Sequence, residues 1–295
     1  ELIKFYGKSQ AGSKGEGEEK INQDSILVLT GLFNLKFNIF AVLDGHGDTG
    51  HLISNYCKVA IEQFFKNKEN YLTGNNFIMR LTEDIVYNRL ILNNYKIIKK
   101  CIESIDLELS KLKFDTQFSG TTCVIVFMIK NHLICANVGD SRAVLFYTKG
   151  KKSTYAYKNL SNDHKPGNSK EKERIEESGG YVVHFKNDEG EEEETLRVWT
   201  KDSKVPGLAI SRSLGDSTIH KFGVSSEPEI TEATINNDSK VLIMGSDGLW
   251  DMLTQDDICS YLRKYFESSV ESIVICSIFH FESIISSFIS SSSLF

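Results

Sequence analysis

The stretch Phe37–Gly50, FNIFAVLDGHGDTG, decides how the rest of the chain is read. Ile39-Phe40-Ala41-Val42-Leu43 is a short, partly β-branched apolar run, the pattern of a buried strand. It ends on Asp44-Gly45-His46-Gly47, where two glycines tolerate backbone conformations that a side chain forbids, so the strand can stop and turn. Beyond the turn, Asp48 or Thr49 can cap a helix in which Leu52, Ile53, Tyr56, Val59, Ala60 and Phe64 recur at helical spacing. A carboxylate at a strand end, beside a histidine and bare backbone, suits a hard cation, which takes oxygen from a side chain and from a glycine carbonyl alike. Read alone, the stretch fits a plain turn equally well, with Asp44 capping it and His46 solvated.

Outward from this stretch, 295 residues are enough for one large domain, or a domain with an insertion, around a sizeable core. An apolar fraction of 40% and a charged fraction of 25% are ordinary for a globular chain. The net charge of −6 and the lack of a dense Lys/Arg patch argue against a nucleic-acid partner. Six cysteines form no CxxC pair, and Cys123 and Cys135 sit inside apolar runs, as reduced buried thiols do. The expected compartment is therefore a reducing one, cytoplasmic or nuclear. The chain opens on Glu1 rather than Met, as a fragment or processed chain would, and no signal-peptide pattern follows.

Residues 1–20 read as a loosely ordered, Gly- and charge-rich lead-in. Asp24 then precedes a short strand, Ile26–Thr30, which with Gly31–Asn34 as a turn can pair with the strand at 37–43 and bring Asp24 and Asp44 onto neighbouring strands. Apolar residues from Ile78 to Leu109 return every three or four positions, predicting one long or one broken helix over 76–112. Strands are predicted at Cys123–Ile129, His132–Val138 and Ala143–Tyr147, the first two joined tightly at Asn131. Gly139-Asp140-Ser141-Arg142 forms another acidic turn at a strand end. A short charged helix ends at Gly179-Gly180, and Glu189–Glu194 reads as a solvated acidic loop. The last clear strand, Lys240–Gly245, runs into Ser246-Asp247-Gly248-Leu249-Trp250-Asp251, and a helix follows near Asp256–Phe266. From Glu267 to Phe295 the chain is Ser-rich with scattered apolar clusters; the polar interruptions speak against a membrane span, which needs about 20 mostly apolar residues.

Asp24, Asp44, Asp140, Asp247 and Asp251 thus all fall at strand ends or turns, a distribution that a carboxylate metal cluster explains and solubility does not. NQDS (22–25), DGHGDTG (44–50), SGTTC (119–123), ANVGDSRAVL (136–145), LSNDHKP (160–166), ESGGYV (177–182), PGLAISRSLGD (206–216), EPEI (227–230) and SDGLWDML (246–253) occur in one order. This ordered set resembles the metal-dependent protein serine/threonine phosphatases of the protein phosphatase 2C family, over about residues 5–266. Arg197-Val198-Trp199 is most similar to the plant and protist branches.

The resemblance implies an α+β fold of two packed antiparallel sheets flanked by helices on both sides. It also implies a binuclear Mg2+ or Mn2+ centre bridged by Asp44, with the Gly45 carbonyl on one ion and Asp247 on the other. Asp24 would hold a water of that centre, Asp140 and Asp251 would surround a further, weaker ion, and His46 would protonate the departing Ser or Thr oxygen. The domain would span 21–266, with a flap-like insertion over 160–205 and an atypical tail over 267–295. The partners implied are phosphoprotein substrates, engaged by a monomer. Three departures stand out. Gln23 replaces a usual Glu, the upstream phosphate-binding arginine is missing so that Lys20 or Lys14 must supply the charge, and the terminal Asp-Asn motif with its closing strand is absent. That last loss motivates a second reading, a non-catalytic phosphatase-like binding module. A two-metal nuclease is weak without a basic groove.

Overall fold

The computed structural model describes residues 5–11, 20–67, 81–150, 154–186, 192–200, 207–265 and 274–276. Strand β1 (Asp24–Leu29) leads through a 3-10 turn (Leu32–Asn34) into β2 (Phe37–His46), and helix α1 (Gly50–Lys66) follows directly. Helix α2 (Glu83–Leu109) precedes the short β3 (Gly120–Thr121), then β4 (Cys123–Ile129), β5 (His132–Val138), β6 (Arg142–Lys149) and β7 (Thr154–Asn159). Next come α3 (Ser169–Glu177), β8 (Tyr181–Lys186), β9 (Glu192–Trp199), β10 (Leu214–Gly215) and α4 (Ser217–His220). The chain continues with β11 (Glu229–Thr234), β12 (Ser239–Gly245), α5 (Asp247–Trp250), α6 (Gln255–Tyr265) and β13 (Val274–Cys276).

One sheet is antiparallel, with β2 and the β3–β4 strand at its centre, β1 on the outer side of β2, and β5 and β11 beyond β4. The second sheet runs β13-β12-β6-β7, and β8 and β9 make a separate hairpin. Side-chain parity places the layers. From β2 and β4, Phe37, Ile39, Ala41, Leu43, Cys123, Ile125 and Phe127 pack with α1 and α2. Their alternate residues Phe40, Val42, Val124, Val126 and Met128 meet Ala143, Leu145, Leu242 and Met244 of the second sheet. The other face of that sheet, Val144, Phe146, Val241 and Ile243, packs on Leu249, Trp250, Ile258 and Leu262 of α5 and α6. The order helix, sheet, sheet, helix follows, so the expected two-sheet α+β sandwich is what the chain forms. Because both faces of each central strand are covered, those strands carry near-continuous apolar runs rather than alternating ones.

β4 and β5 have the predicted bounds, and α3 closes at Gly179 with a positive φ of 85°. Elsewhere the structure corrects the sequence reading. β2 does not stop at Leu43, because Gly45 and His46 pair with Thr121 and Gly120 and carry the strand three residues further. The buried stripe of α1 is Ile53, Cys57, Ile61 and Phe65, while Leu52 and Val59 are exposed. The predicted broken helix is broken at Leu92–Tyr95, where Asn93, Asn94 and Tyr95 take left-handed conformations. Glu192–Glu194 open β9 instead of finishing a loop. β7 and β11 went unpredicted because each is an edge strand burying a single apolar side chain, Tyr155 or Ala233, which leaves no apolar run to read. The tail supplies a strand after all: Val274, Ile275 and Cys276 pair in parallel with Val241, Leu242 and Ile243. The rest of the tail, Lys14 and Glu189–Glu191 lie outside the described residues. So does 76–80 of the helix predicted over 76–112. Five cysteines, 57, 101, 123, 135 and 259, are buried free thiols. Among the described residues no helix is long and apolar enough to cross a membrane.

Candidate metal centre

Strand pairing brings the first two carboxylates together: Asp24 and Asp44 are direct partners across β1 and β2. Asp44 is then fixed from the other side by Thr122. The Asp44 amide donates to Thr122 Oγ1 at 3.0 Å and the Thr122 amide donates to the Asp44 carbonyl at 2.9 Å. Thr122 Oγ1 in turn shares a 2.6 Å hydrogen bond with Ser141 Oγ, which ties Asp44 to the turn that carries Asp140. Ser246 Oγ donates to Asp24 Oδ2 at 3.0 Å, so the residue before Asp247 holds the carboxylate at the other end of the cluster. Gly45 must be glycine, since a Cβ there would lie 2.4 Å from the Gly50 carbonyl oxygen. Gln23 fills the position of the expected Glu and uses its amide: Nε2 donates to the Gly47 carbonyl at 2.7 Å, a bond that an ionised carboxylate cannot make.

The cluster is electrostatically strained. Burial, followed by the charges of Asp24, Asp247 and Asp140, pushes the Asp44 carboxyl up to about 10. Burial also raises Asp24 and Asp247, with the neighbouring carboxylates adding to it. Asp140 is buried and forms an ion pair with Lys165. Asp251 is exposed and adds its charge to the field at Asp247 and Arg142. Buried carboxylates that cannot all ionise together either hold protons or need cations beside them. Every candidate donor is a hard oxygen, which suits Mg2+ or Mn2+. Among the described residues no three acidic, His or Cys side chains enclose a single point.

Asp44, Asp140 and Asp247 open into a cleft of about 500 Å³ that His46, Asp48, Asp115, Phe118 and Ser119 also line. His46 Nε2 lies 2.6 Å from Asp216 Oδ2. Burial works against the imidazolium, but the Asp216 carboxylate, with Asp140 and Asp247 behind it, sets the balance above the ordinary histidine value. Leu208, Ala209, Ile210 and Ile219 form an apolar wall, and Arg197 of β9 reaches the cleft with Nη1 donating to the Gly207 carbonyl at 3.1 Å. Lys20 is exposed and is not among the lining residues. The structure therefore brings Asp24, Asp44, Gly45, His46, Asp140 and Asp247 together, keeps Asp251 at the rim, and leaves Lys20 aside. Asp216, Arg197 and Lys165 were missed as site residues, although Gly215-Asp216 repeats the Gly139-Asp140 pattern at another strand end.

Two packed sheets, a carboxylate cluster at the strand ends and a cleft that also holds a histidine thus make up the candidate site. The chain belongs to the protein phosphatase 2C family, whose model matches residues 12–274. It is 31% identical to the Arabidopsis thaliana "Probable protein phosphatase 2C 61", covering 87% of this chain and 71% of that protein. It is 30% identical to "Probable protein phosphatase 2C 72" of the same plant, covering 84% and 71%. Among solved structures, a serine-threonine phosphatase 2C from Toxoplasma gondii superposes with a TM-score of 0.67 at 18% identity, over 88% of this chain and 82% of the other. A C. elegans sex determining protein superposes with a TM-score of 0.63 at 20% identity, over 97% and 60%. The family activity is metal-dependent hydrolysis of phosphoserine and phosphothreonine in proteins, generally with Mg2+ or Mn2+, and this chain shares it.

Proposed function

We propose that Asp44, Gly45 and Asp247 would hold a pair of divalent ions, with Asp24 holding a water of that centre, and that Asp140 and Asp251 would serve a further, weaker ion. The observation carrying this reading is the direct pairing of Asp24 with Asp44 beside Asp247, all three with carboxyls raised by burial and mutual repulsion. Ions bound there would supply positive charge to phosphoryl oxygens and render water acidic enough to act as nucleophile near neutral pH. The chain's own contribution is positional. Thr122 and Ser141 lock the Asp44 backbone, and Gly45 allows the close approach of α1. His46, kept protonated beside Asp216, hands its proton to the departing seryl or threonyl oxygen. The cleft's apolar wall shields the reacting bond.

Of the cations considered for substrate phosphate, Arg197 lines the cleft and Lys20 does not. Its planar guanidinium can grip a phosphate in bidentate fashion, which an ammonium cannot. The substrates are phosphoproteins. We read the protein as a monomer acting in the cytoplasm or nucleus, with 21–266 as the phosphatase unit and 160–205 as its flap. The deciding experiment is phosphate release from a phosphothreonine peptide with Mn2+ or Mg2+, with and without chelator. Turnover that vanishes with chelator and returns with metal is the expected result. Turnover that survives exhaustive chelation overturns the metal assignment, and no turnover under any condition leaves a binding module.

A further inference from the structure

His46, Gly120 and Gly215 lie in register on three adjacent strands, with Gly120 paired to His46 on one side and to Gly215 on the other. Asp216 follows directly after Gly215, and its carboxylate reaches back across Gly120 to His46, where Oδ2 stands 2.6 Å from Nε2. The missing side chain of Gly120 is what opens this path, since a Cβ there would sit 2.2 Å from Asp216 Oδ2. The Asp216 backbone is held in the left-handed region at φ 45°, ψ 38°, which Asp tolerates better than most residues. Three hydrogen bonds keep it there: its amide donates to the Ser119 carbonyl at 3.0 Å, and its carbonyl accepts from the Ile219 and His220 amides at 2.8 and 3.1 Å. The side chain is 2% exposed, whereas that of His46 is 26% exposed.

We infer that Asp216 is the positioning residue for His46: it takes the Nε2–H, fixes the plane of the ring, and leaves Nδ1 as the nitrogen that serves the cleft. This inference rests on the acid role proposed above for His46. Among the described residues, Nδ1 accepts from and donates to none. In the step concerned, the bond from phosphorus to the seryl oxygen breaks, that oxygen keeps the electron pair and takes the Nδ1 proton, and the ring is left neutral with Nε2–H still on Asp216. Water later returns the proton. A histidine anchored through one nitrogen by a buried carboxylate presents the other in a fixed tautomer and orientation. The strain held at Asp216, in a segment that contributes nothing else to the cleft's polar lining, is accounted for by this bond.

The test compares wild type with Asp216→Asn on two substrates, a phosphoserine peptide, whose leaving group needs a proton, and p-nitrophenyl phosphate, whose leaving group needs little. With saturating Mn2+, kcat on the peptide is expected to fall about 10²- to 10⁴-fold with KM nearly unchanged, while p-nitrophenyl phosphate turnover changes far less. In parallel, the ring nitrogens of His46 are followed by 15N NMR on the Mg2+-loaded protein, where wild type shows an Nε2–H strongly hydrogen-bonded to a carboxylate and the variant loses that signature. Gly120→Ala, which blocks the path without touching either charge, should reproduce the substrate split, and it replaces Asp216→Asn should that variant fail to fold. Equal losses on both substrates, or an unchanged His46 ring signal in the variant, overturn the inference. The NMR arm does not depend on turnover, so an inactive wild type with the expected ring signal refutes the proposed reaction while the Asp216–His46 bond stands.

Discussion

Asp24 and Asp44 occupy a single rung of the β1–β2 ladder, two carboxylates directly opposite one another at a buried strand end. Like charges so placed destabilise a sheet, so a chain that builds this rung carries a site tuned for cations.

The rung makes the metal-free protein sensitive to pH in an unusual direction. An unfolded Asp44 releases its proton near 3.8, whereas the folded state holds it up to about 10. Between those values the folded chain binds more protons, so stability falls as pH rises, by about 1.4 kcal/mol per unit for one proton. Metal-free protein should therefore melt lower at about pH 8.5 than at about pH 6.5. Asp44→Asn should make that slope shallower while abolishing turnover. Thermal melts in chelator give the answer, and a slope of opposite sign would show that the carboxylates do not compete for protons.

Thr122→Val keeps the shape of a fully buried side chain and removes its hydroxyl. The Asp44 amide and Ser141 Oγ then lose their partner, at a cost of about 1–3 kcal/mol. Turnover should fall as well, because the Asp44 backbone is no longer locked, and Thr122→Ser should restore most of both. Urea unfolding and Mn2+-dependent turnover measure the two effects, and a valine variant as stable and active as wild type refutes the link.

Glu171 in α3 is buried between Arg212 and Arg174, with bonds of 2.7, 3.1 and 2.8 Å, and also accepts from Ser211 Oγ at 2.7 Å. Burial opposes its ionisation, but these donors hold its carboxyl far below the usual range. Its contribution is present above the unfolded value of 4.5 and is lost as pH falls through the lowered folded value. Glu171→Ala strands two guanidinium groups and should cost about 3–5 kcal/mol, loosening the segment that leads to Asp216. The variant should also lose less stability than wild type on acidification below about pH 4.5. An acid titration of unfolding that is identical for both proteins rules out this account.

Ending the chain after Tyr265 removes β13 and opens the edge of β12. The truncated protein should melt lower, by about 2–4 °C for each kcal/mol lost, and scatter more light on heating, since an open apolar edge invites pairing between chains. Unchanged melting and solubility would show that β13 adds nothing to the stability of the sheet.

Much of this protein was legible from residues alone. The apolar runs that became β2, β4, β5, β6 and β12 announced themselves because both sheet faces are buried, and the acidic strand ends after them marked the candidate centre. Edge strands such as β7 and β11 were silent because they bury one apolar side chain each, and β13 was hidden in a Ser-rich tail. What only the tertiary structure decided is which carboxylates meet and in what order. Asp24 faces Asp44 through a strand register that no local pattern specifies. His46 finds Asp216 from 170 residues away through the gap at Gly120, and Arg197 of β9, rather than Lys20, lines the cleft. Local sequence dictates the period and burial of an element; the pairing of distant elements is fixed by the packing of the whole, and the chemistry of this site resides in those pairings.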